Sequence, residues 1–493
     1  MNVLVLNPPF HLKYSRSQRS PAVIKSGVMY YPIWLAYATG VLEQAGFTVK
    51  LLDAPAEKRD LAYVLDLVES FQPRMVVMET STPSVYNDVE VAEAIKARAP
   101  AAFIVMVGPH IPAFLEAERG GNGSPSPCLA VDAIAVGEYD YTVRDLARLL
   151  EGGGKLALDS VLGLAYRAED GCLVHNPPRP LIQELDALPF VSESYRRHLQ
   201  VENYFYSITR YPEVAIVTGR GCPHQCTYCL WPQTLTGRGY RKRSVANVAD
   251  EFDFIARELP QVKEIFVEDD TLTVDRKHSV ALAQELIAHG NRLPFTANAR
   301  ADASYEALYW LKQAGLRLVC VGFESGEQAV LDAVKKNIKV EQFYEFRQDA
   351  RRAGVLVHGC FMAGNPGETR QSLAKTLELA KALDPDTAQF FPIMVYPGTE
   401  AYEWAVRNGY VSTADFREWL TPDGLHRSIV GYPGLPAEEL LAWCDAARRS
   451  FYLRPRYVAS KLWQMLTQPP EALRIAKAAR TFTAYLLRPS RQD

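Results

Sequence analysis

The chain has 493 residues, more than one hydrophobic core usually organises, so we expect two or three domains. Its formal net charge of −3, with charged residues spread along the chain, excludes the strongly basic face of a nucleic-acid-binding protein. The eight cysteines are too unevenly spaced for a disulfide framework, which predicts a reducing, cytoplasmic location. No apolar run approaches the roughly twenty residues of a membrane span, so no transmembrane segment is expected.

The first third of the chain alternates short apolar strands with helical patterns, as in the strand at 3–7, the helix at 33–46 and the strand at 48–53. This alternation predicts an α/β fold, with a doubly wound, Rossmann-like domain over 1–155. Ligands of such sheets bind beyond the carboxyl ends of the strands. Small and turn-forming residues follow the predicted strands: Asn7-Pro8-Pro9, Asp53-Ala54-Pro55, Thr80 to Ser84, Gly108-Pro109-His110 and Gly137-Glu138.

A long insert, His11 to Pro32, separates the first predicted strand from the first helix. Connections in such sheets usually have about two to six residues, so an insert of this length is either functional or a mobile, solvated loop. It carries basic and aromatic residues: Lys13, Tyr14, Arg16, Arg19, Lys25, Tyr30 and Tyr31. We expect it to cover the active site or to line the ligand cleft of the first domain.

Residues 156–205 are predicted to form a hairpin, at 164–166 and 172–174, and a proline-spaced linker. From 206 to 400, about six further strand–helix units predict a partial (β/α)6 barrel, because a complete barrel needs eight. A helical region is expected over 401–493. Its segment 454–488 alternates basic and apolar residues, which favours a helix that covers a core, although such a helix could also rest on a membrane surface.

The first strand of the second domain runs into a loop with three cysteines in the pattern CxxxCxxC: Cys222, Cys226 and Cys229. A four-iron cluster normally takes four cysteines, so three in one tight loop leave one iron open to an exogenous ligand. A zinc site with His224 as the fourth ligand is the alternative. Zinc sites usually combine two pairs of ligands tens of residues apart, which disfavours it.

This cysteine pattern resembles the signature of the radical SAM superfamily. The resemblance implies a 4Fe-4S cluster held by the three cysteines, with S-adenosylmethionine (SAM) bound to the open iron and cleaved to a 5′-deoxyadenosyl radical. The strand ends of the first domain resemble the cobalamin-binding (B12-binding) domain of one subgroup, which implies cobalamin as a further cofactor. A scaffold without that cofactor is the alternative. The AspXxxHisXxxGly segment that supplies a cobalt-binding histidine in some cobalamin proteins is not found, so histidine ligation is not expected.

The resemblance also assigns roles to polar residues at the carboxyl ends of the predicted barrel strands. It implies contacts to SAM from the acidic run Glu268, Asp269 and Asp270 near the amino group, from Asn298 and Arg300 near the carboxylate, and from Glu324 and Ser325 near the ribose. Tyr228 resembles the aromatic residue that packs on the adenine, and Gly364 opens a turn that resembles a family motif. Tyr228, Glu324 and Asp270 are the candidate catalytic residues. Cys320 and Cys360 fall inside strands and are expected to pack in the core.

The segments Tyr30 to Trp34 and Leu420 to His426 resemble hopanoid-pathway enzymes that remodel a sugar-derived headgroup, and the general layout resembles an aminosugar diol dehydratase. Both resemblances imply hydrogen abstraction from a polyol or sugar-bearing metabolite, followed by dehydration or rearrangement. A cobalamin-dependent radical SAM C-methyltransferase is the alternative. A non-catalytic cobalamin or metal sensor, or a zinc-stabilised scaffold, is a hypothesis of another class. The expected partners are a small-molecule substrate and an electron donor of the flavodoxin or ferredoxin type.

Overall fold

A computed structural model describes residues 1–24, 26–118, 131–153, 156–168 and 173–467, with 471–472, 475–477, 479–480 and 483. Lys25 of the insert and most of the chain after Thr467 lie outside the described residues.

The first domain is built on a seven-stranded sheet in the order β2-β1-β3-β4-β5-β6-β7. Its strands are β1 (Asn2–Asn7), β2 (Thr48–Asp53), β3 (Met75–Glu79), β4 (Phe103–Val107), β5 (Ala133–Ala135), β6 (Leu164–Arg167) and β7 (Leu173–His175). Strands β1 to β5 run parallel, and the predicted hairpin β6–β7 extends the same sheet antiparallel to them. The helices around this sheet are α1 (Ile33–Gln44), α2 (Ala54–Glu57), α3 (Leu61–Phe71), α4 (Val85–Arg98), α5 (Ile111–Glu118) and α6 (Asp140–Gly152). Complete burial of β3 shows that both faces of the sheet are covered, as the doubly wound prediction requires.

A linker helix, α7 (Val191–His198), packs on α1 and leads into the second domain. The next elements are β8 (Glu213–Ile216), β9 (Gly219–Arg220), α8 (Trp231–Thr234), β10 (Arg241–Lys242), α9 (Val245–Glu258), β11 (Glu264–Val267), α10 (Arg276–Ala288), β12 (Phe295–Ala299), α11 (Tyr305–Gln313), β13 (Leu316–Glu324), α12 (Gln328–Ala333), α13 (Val340–Ala353), β14 (Leu356–Ala363), α14 (Arg370–Leu383) and β15 (Thr387–Pro392). Six of these strands form a parallel sheet in the order β15-β14-β13-β12-β11-β8. The edge strands β15 and β8 do not pair with each other in the described chain, so the barrel is partial, as predicted.

Alternate residues of the barrel strands face opposite sides, because side chains of a strand alternate with a period of two. Phe323 on β13 packs against Phe343 and Phe346 of α13, with ring centroids 5.2 and 6.2 Å apart. The outer face of β13 therefore meets the helices, and Cys320 and Gly322, at even positions before the register shift at 322–324, belong to the inner face that lines the barrel.

The C-terminal region is mostly helical, with α15 (Glu400–Arg407), α16 (Ala437–Tyr452) and α17 (Pro455–Thr467). Helix α16 packs on β15 through Phe390 and Trp443. Between α15 and α16, short antiparallel bridges join Val411 to Val430 and Leu420 to His426, so the region is mostly helical, with one non-helical stretch.

The apolar stripe of α17 does not cover a core within the described residues. Leu462, Trp463 and Leu466 are 58%, 68% and 78% exposed. No helix of the described chain is both long enough and apolar enough to cross a membrane.

Candidate functional site

The cysteine loop lies between the paired strands β9 and β10, which run antiparallel. Gly221 turns the chain into the loop with φ of +86°, and a Cβ atom there would lie 2.2 Å from the carbonyl oxygen of Gly239. Only glycine fits this position. The loop is then held by backbone contacts, because the Cys222 N–H donates to Gly237 over 3.3 Å and Gln233 Nε2 donates to the Cys229 carbonyl over 2.7 Å.

All three thiols are available as ligands, because none is in a disulfide. Cys222 and Cys226 are buried and Cys229 is partly buried. The hydrogen bond from Cys229 lowers the pKa of Cys226 to about 6, and the charges of Lys336 and Arg300 act in the same direction against burial. Burial raises the pKa of Cys222 to about 11, and the hydrogen bond with Cys226, together with burial, raises that of Cys229. Soft thiolates in this number and setting fit an iron–sulfur cluster.

Tyr228, from the cysteine loop, meets the end of β13. Its hydroxyl donates to Glu324 Oε1 over 3.0 Å. Lys336 completes the contact, since its Nζ lies 3.0 Å from Glu324 Oε1 and 3.2 Å from the Tyr228 hydroxyl. Although burial opposes it, the Glu324 carboxylate and the Cys226 thiolate raise the pKa of Lys336. Two candidate catalytic residues therefore form one buried, charged cluster beside the loop.

The acidic run after β11 divides into two environments. Asp269 accepts hydrogen bonds of 2.6 Å from both the backbone N–H and the hydroxyl of Thr218, so it ties β11 to β8. Glu268 and Asp270 instead face Arg19 of the insert, which forms an ion pair with Glu268 and lies 3.6 Å from Asp270. Burial raises the pKa of Glu268 to about 7, although Arg19 opposes the shift.

The residues after β12 border an open polar cavity. Arg300 donates to Asp302 over 2.8 Å and to the carbonyl of Asn337 over 2.9 Å, and Asn298 donates to the Asp269 carbonyl over 3.0 Å. The cavity, of about 330 Å³, is lined by Arg300 and by His224 of the cysteine loop. The cavity reaches the cysteine loop at His224, and none of the three cysteines lines it.

Two expected contact residues face the barrel wall. Ser325 is fully buried, and its hydroxyl lies 3.2 Å from Thr376 on α14. The Gly364 N–H donates to Glu368 Oε2 over 2.7 Å, so Glu368 closes its own turn. This geometry therefore disfavours contact between the Ser325 side chain and a cofactor, because the Ser325 hydroxyl already hydrogen-bonds with Thr376.

The insert packs on the carboxyl edge of the first sheet. Arg16 is fully buried and pairs with Asp88 at 2.5 Å, while it donates to Asn7 over 2.7 Å. The Tyr14 hydroxyl lies 2.7 Å from Ser81, and Ser17 donates to Glu79 over 2.7 Å. The insert is thus an ordered wall of the cleft, in agreement with the expectation that it lines it.

The same edge offers features that fit a bulky polar ligand. Gly108 has φ of +115°, and a Cβ there would lie 2.5 Å from the Thr80 carbonyl oxygen. Burial lowers the pKa of His110 to about 3, so the ring is neutral near pH 7. His110 Nε2 and the Tyr139 hydroxyl are buried without a hydrogen-bond partner among the described residues. These two polar groups fit a cofactor such as cobalamin, whereas Gly108 is needed for the close approach of its own loop to Thr80.

The two domains meet through buried charges. Arg220 of β9 lies 2.8 Å from Asp140 and 3.7 Å from Glu138, both from the first domain. Arg241 of β10 also pairs with Glu138, at 2.7 Å. The hairpin that frames the cysteine loop is therefore anchored to the first domain.

Lys336 and Arg19 are the site residues that sequence reasoning missed. Lys336 follows α12 in the run Lys335-Lys336-Asn337, where a basic pair after the Glu324 turn was the only signal. Arg19 is one of the basic residues of the insert, but no local pattern indicates that it reaches a carboxylate 249 residues away.

Comparison with known proteins agrees with both halves of this description. A model of the radical SAM superfamily matches residues 216–380, and a model of the B12 binding domain matches residues 19–124. An uncharacterized methyltransferase of Pyrococcus horikoshii is 29% identical over 434 residues, which cover 88% of this chain and 90% of that protein.

Further relatives carry specific names. Cytidylyl-2-hydroxyethylphosphonate methyltransferase of Streptomyces wedmorensis is 28% identical over 504 residues, with 88% of each chain covered. Anaerobic magnesium-protoporphyrin IX monomethyl ester cyclase of Rubrivivax gelatinosus is 27% identical over 443 residues, with 87% of this chain and 75% of that protein covered.

The fold is similar to that of TsrM, a radical S-adenosylmethionine methyltransferase from Kitasatospora setae solved with cobalamin and a 4Fe-4S cluster bound. The TM-score is 0.69 at 19% identity, with 92% of this chain and 91% of that chain covered. Together with the two domain matches, this places the cysteine loop and the N-terminal sheet in a known architecture. The chain therefore contains a radical SAM domain, and a B12-binding domain lies in front of it.

Proposed function

We propose that this protein is a cobalamin-dependent radical SAM methyltransferase that acts on a carbon atom of a small molecule. One observation carries the proposal: the insert joins the carboxyl edge of the first sheet to the mouth of the barrel. Arg16 pairs with Asp88 at that edge, and Arg19, three residues later, pairs with Glu268 at the end of β11. Ligands bound at these two edges would therefore lie next to each other. Methyl transfer that involves two cofactors and one substrate requires this proximity.

The names of the relatives support methyl transfer over the dehydration of a polyol that the sequence first suggests. Two of the three relatives described above are named methyltransferases, and the third is named a cyclase. The alternative considered with the sequence, C-methylation, is therefore the better-supported reaction.

Each cofactor has candidate ligands on this chain. Cys222, Cys226 and Cys229 would hold the cluster, and the edge around Gly108, His110 and Tyr139 would take cobalamin. When bound, the cluster supplies the electron that cleaves SAM, and cobalamin supplies methyl-transfer chemistry. The electron must come from an external donor, which we expect to be of the flavodoxin or ferredoxin type.

The side chains around the loop would bind and orient SAM. Glu268 and Asp270 offer carboxylates to the ammonium group, and Arg300 offers a guanidinium to the carboxylate. Glu324, held by Tyr228 and Lys336, offers an acceptor to the ribose hydroxyls. Burial of this set excludes water, which strengthens each of these contacts.

Anaerobic incubation of the iron-reconstituted protein with SAM and dithionite, with and without hydroxocobalamin, tests the proposal. We expect S-adenosylhomocysteine to form only when cobalamin is present, and 5′-deoxyadenosine to form in a reaction that Cys226→Ala abolishes. Cys444→Ala is the matched control, because Cys444 is buried in α16, away from the loop. 5′-Deoxyadenosine without any cobalamin-dependent S-adenosylhomocysteine would instead favour a hydrogen-abstracting dehydratase or mutase. Absence of both products in the parent protein would refute the hypothesis that the protein cleaves SAM by radical chemistry.

A further inference from the structure

A second group of sulfur and nitrogen ligands lies inside the barrel, separate from the cysteine loop. It consists of Cys320 on β13 with His358 and Cys360 on β14, and one ligand atom from each lies within 4.8 Å of the other two. The two sulfur atoms are 3.7 Å apart. Both cysteines are only partly buried, so they do not pack in the core as the sequence had suggested.

Strand register explains why these three residues meet. Cys320 lies opposite His358, and Gly322 lies opposite Cys360, in the parallel pair of β13 and β14. His358 and Cys360 are two residues apart on one strand, so they share a face. The space above Gly322 is taken by the Glu324 carboxylate, and a Cβ at this position would also lie 3.0 Å from Lys336 Nζ.

We propose that Cys320, His358 and Cys360 bind a divalent thiophilic metal ion, Zn²⁺, whose fourth position faces the interior of the barrel. Tetrahedral zinc with Zn–S bonds of about 2.3 Å places two sulfur ligands about 3.8 Å apart, and the observed separation is 3.7 Å. A disulfide would need the same atoms at about 2.05 Å. Two cysteines and one histidine are also a known ligand set of zinc sites that keep one position for water or a substrate atom.

The surroundings of the group suit a metal site. The His358 ring is oriented by a 2.7 Å contact between its Nδ1 and the hydroxyl of Thr387 on β15, as metal-binding histidines usually are. Gln389, which lies opposite Cys360, is exposed, so solvent and ions reach this part of the barrel. Binding would release two thiol protons, one from each cysteine, as two Zn–S bonds form.

The group borders the residues proposed to contact SAM. Cys360 lies opposite Gly322, two residues before Glu324, and the charges of Glu324 and Lys336 act on the Cys360 thiol. The fourth position would hold water that an oxygen atom of the substrate can replace. The metal would therefore hold the substrate beside Glu324, the residue proposed to meet the ribose of SAM.

Metal analysis of the cluster-reconstituted full chain, equilibrated with a zinc buffer under anaerobic and reducing conditions, tests this inference. We expect one zinc per chain in the parent and in Cys444→Ala, with about one zinc lost in Cys320→Ser and in Cys360→Ser. Iron should stay unchanged in all four proteins, because the cluster cysteines are elsewhere. Iron content and zinc content thus report separately on the proposed function and on this site.

A cobalt titration tests the site without changing its proposed ligands, so its result does not depend on whether the serine variants fold. In a chain with Cys222, Cys226 and Cys229 all changed to alanine, one equivalent of Co²⁺ should give the visible absorption of a tetrahedral thiolate complex, which Zn²⁺ abolishes. Absence of zinc from the parent, an unchanged zinc content in both serine variants, or a Cys320–Cys360 disulfide in the zinc-treated protein would each overturn the inference.

Discussion

The hydroxyl of Tyr228 donates a 3.0 Å hydrogen bond to Glu324, and this contact joins the cysteine loop to the end of β13. Glu324 adopts φ of +63°, a left-handed conformation that is unfavourable for a residue with a side chain. The strain persists because Tyr228 and Lys336 hold the carboxylate in place. A residue held in this way presents the same acceptor whether or not a ligand is bound.

Lys336→Met is expected to destabilise the protein by about 3 kcal/mol, because it leaves the Glu324 carboxylate buried without its cation. The same change should lower iron incorporation, since Lys336 also compensates the charge of Cys226. Chemical denaturation and iron content per chain measure the two effects.

The neighbouring Lys335 provides the control. Its side chain is 46% exposed and pairs with the exposed Glu400. Lys335→Met should change the free energy of unfolding by less than about 0.5 kcal/mol and leave iron unchanged. Equal effects of the two variants would show that Lys336 has no special role.

Gly221→Ala is expected to prevent correct closure of the cysteine loop. The added methyl group would lie 2.2 Å from the Gly239 carbonyl oxygen, in a backbone conformation with φ of +86°. We expect iron incorporation to fall at least several-fold, with a loss of stability on the order of 2 kcal/mol. Gly239→Ala is the matched control, because a Cβ at that position has no neighbour within 4 Å. Full iron content in Gly221→Ala would contradict the prediction.

Local patterns predicted the architecture well, because the strands and helices of α/β domains repeat apolar residues with periods of 2 and 3.6. The cluster site was also predictable, because the CxxxCxxC motif lies within eight residues. Contacts between distant segments left no such signal. Arg19 reaches Glu268 only because the insert folds across both domains. The sequence predicts Cys320 and Cys360 as core residues, because both faces of a barrel strand can be apolar. The register of β13 on β14 is needed to see that the two cysteines share the inner face of the barrel.

Arg16→Met is expected to cost about 3–5 kcal/mol of stability, because it leaves Asp88 charged and fully buried. The double variant Arg16→Met/Asp88→Leu should recover much of this loss, because buried ion pairs are often replaceable by apolar pairs. Denaturation of the parent, both single variants and the double variant gives the coupling free energy. A coupling below about 0.5 kcal/mol would mean that the pair does not fix the insert to the first domain.

The affinity for SAM is expected to rise with pH around neutrality. Burial raises the pKa of Glu268 to about 7, so its carboxyl group is protonated below that pH and ionised above it. Only the ionised form attracts the ammonium group of SAM. Calorimetric titration of the cluster-reconstituted protein between pH 6 and pH 8 should therefore show tighter binding at the higher pH.

Arg19→Gln separates this titration from that of other groups. Arg19 lowers the pKa of Glu268 in the parent, so its removal should raise that pKa further and move the midpoint of the binding curve to higher pH. Glu268→Gln should remove the pH dependence between pH 6 and pH 8, because the amide does not titrate. If Glu268→Gln kept the parent's midpoint, another group would control the dependence, and Glu268 would not be the carboxylate that meets the ammonium group.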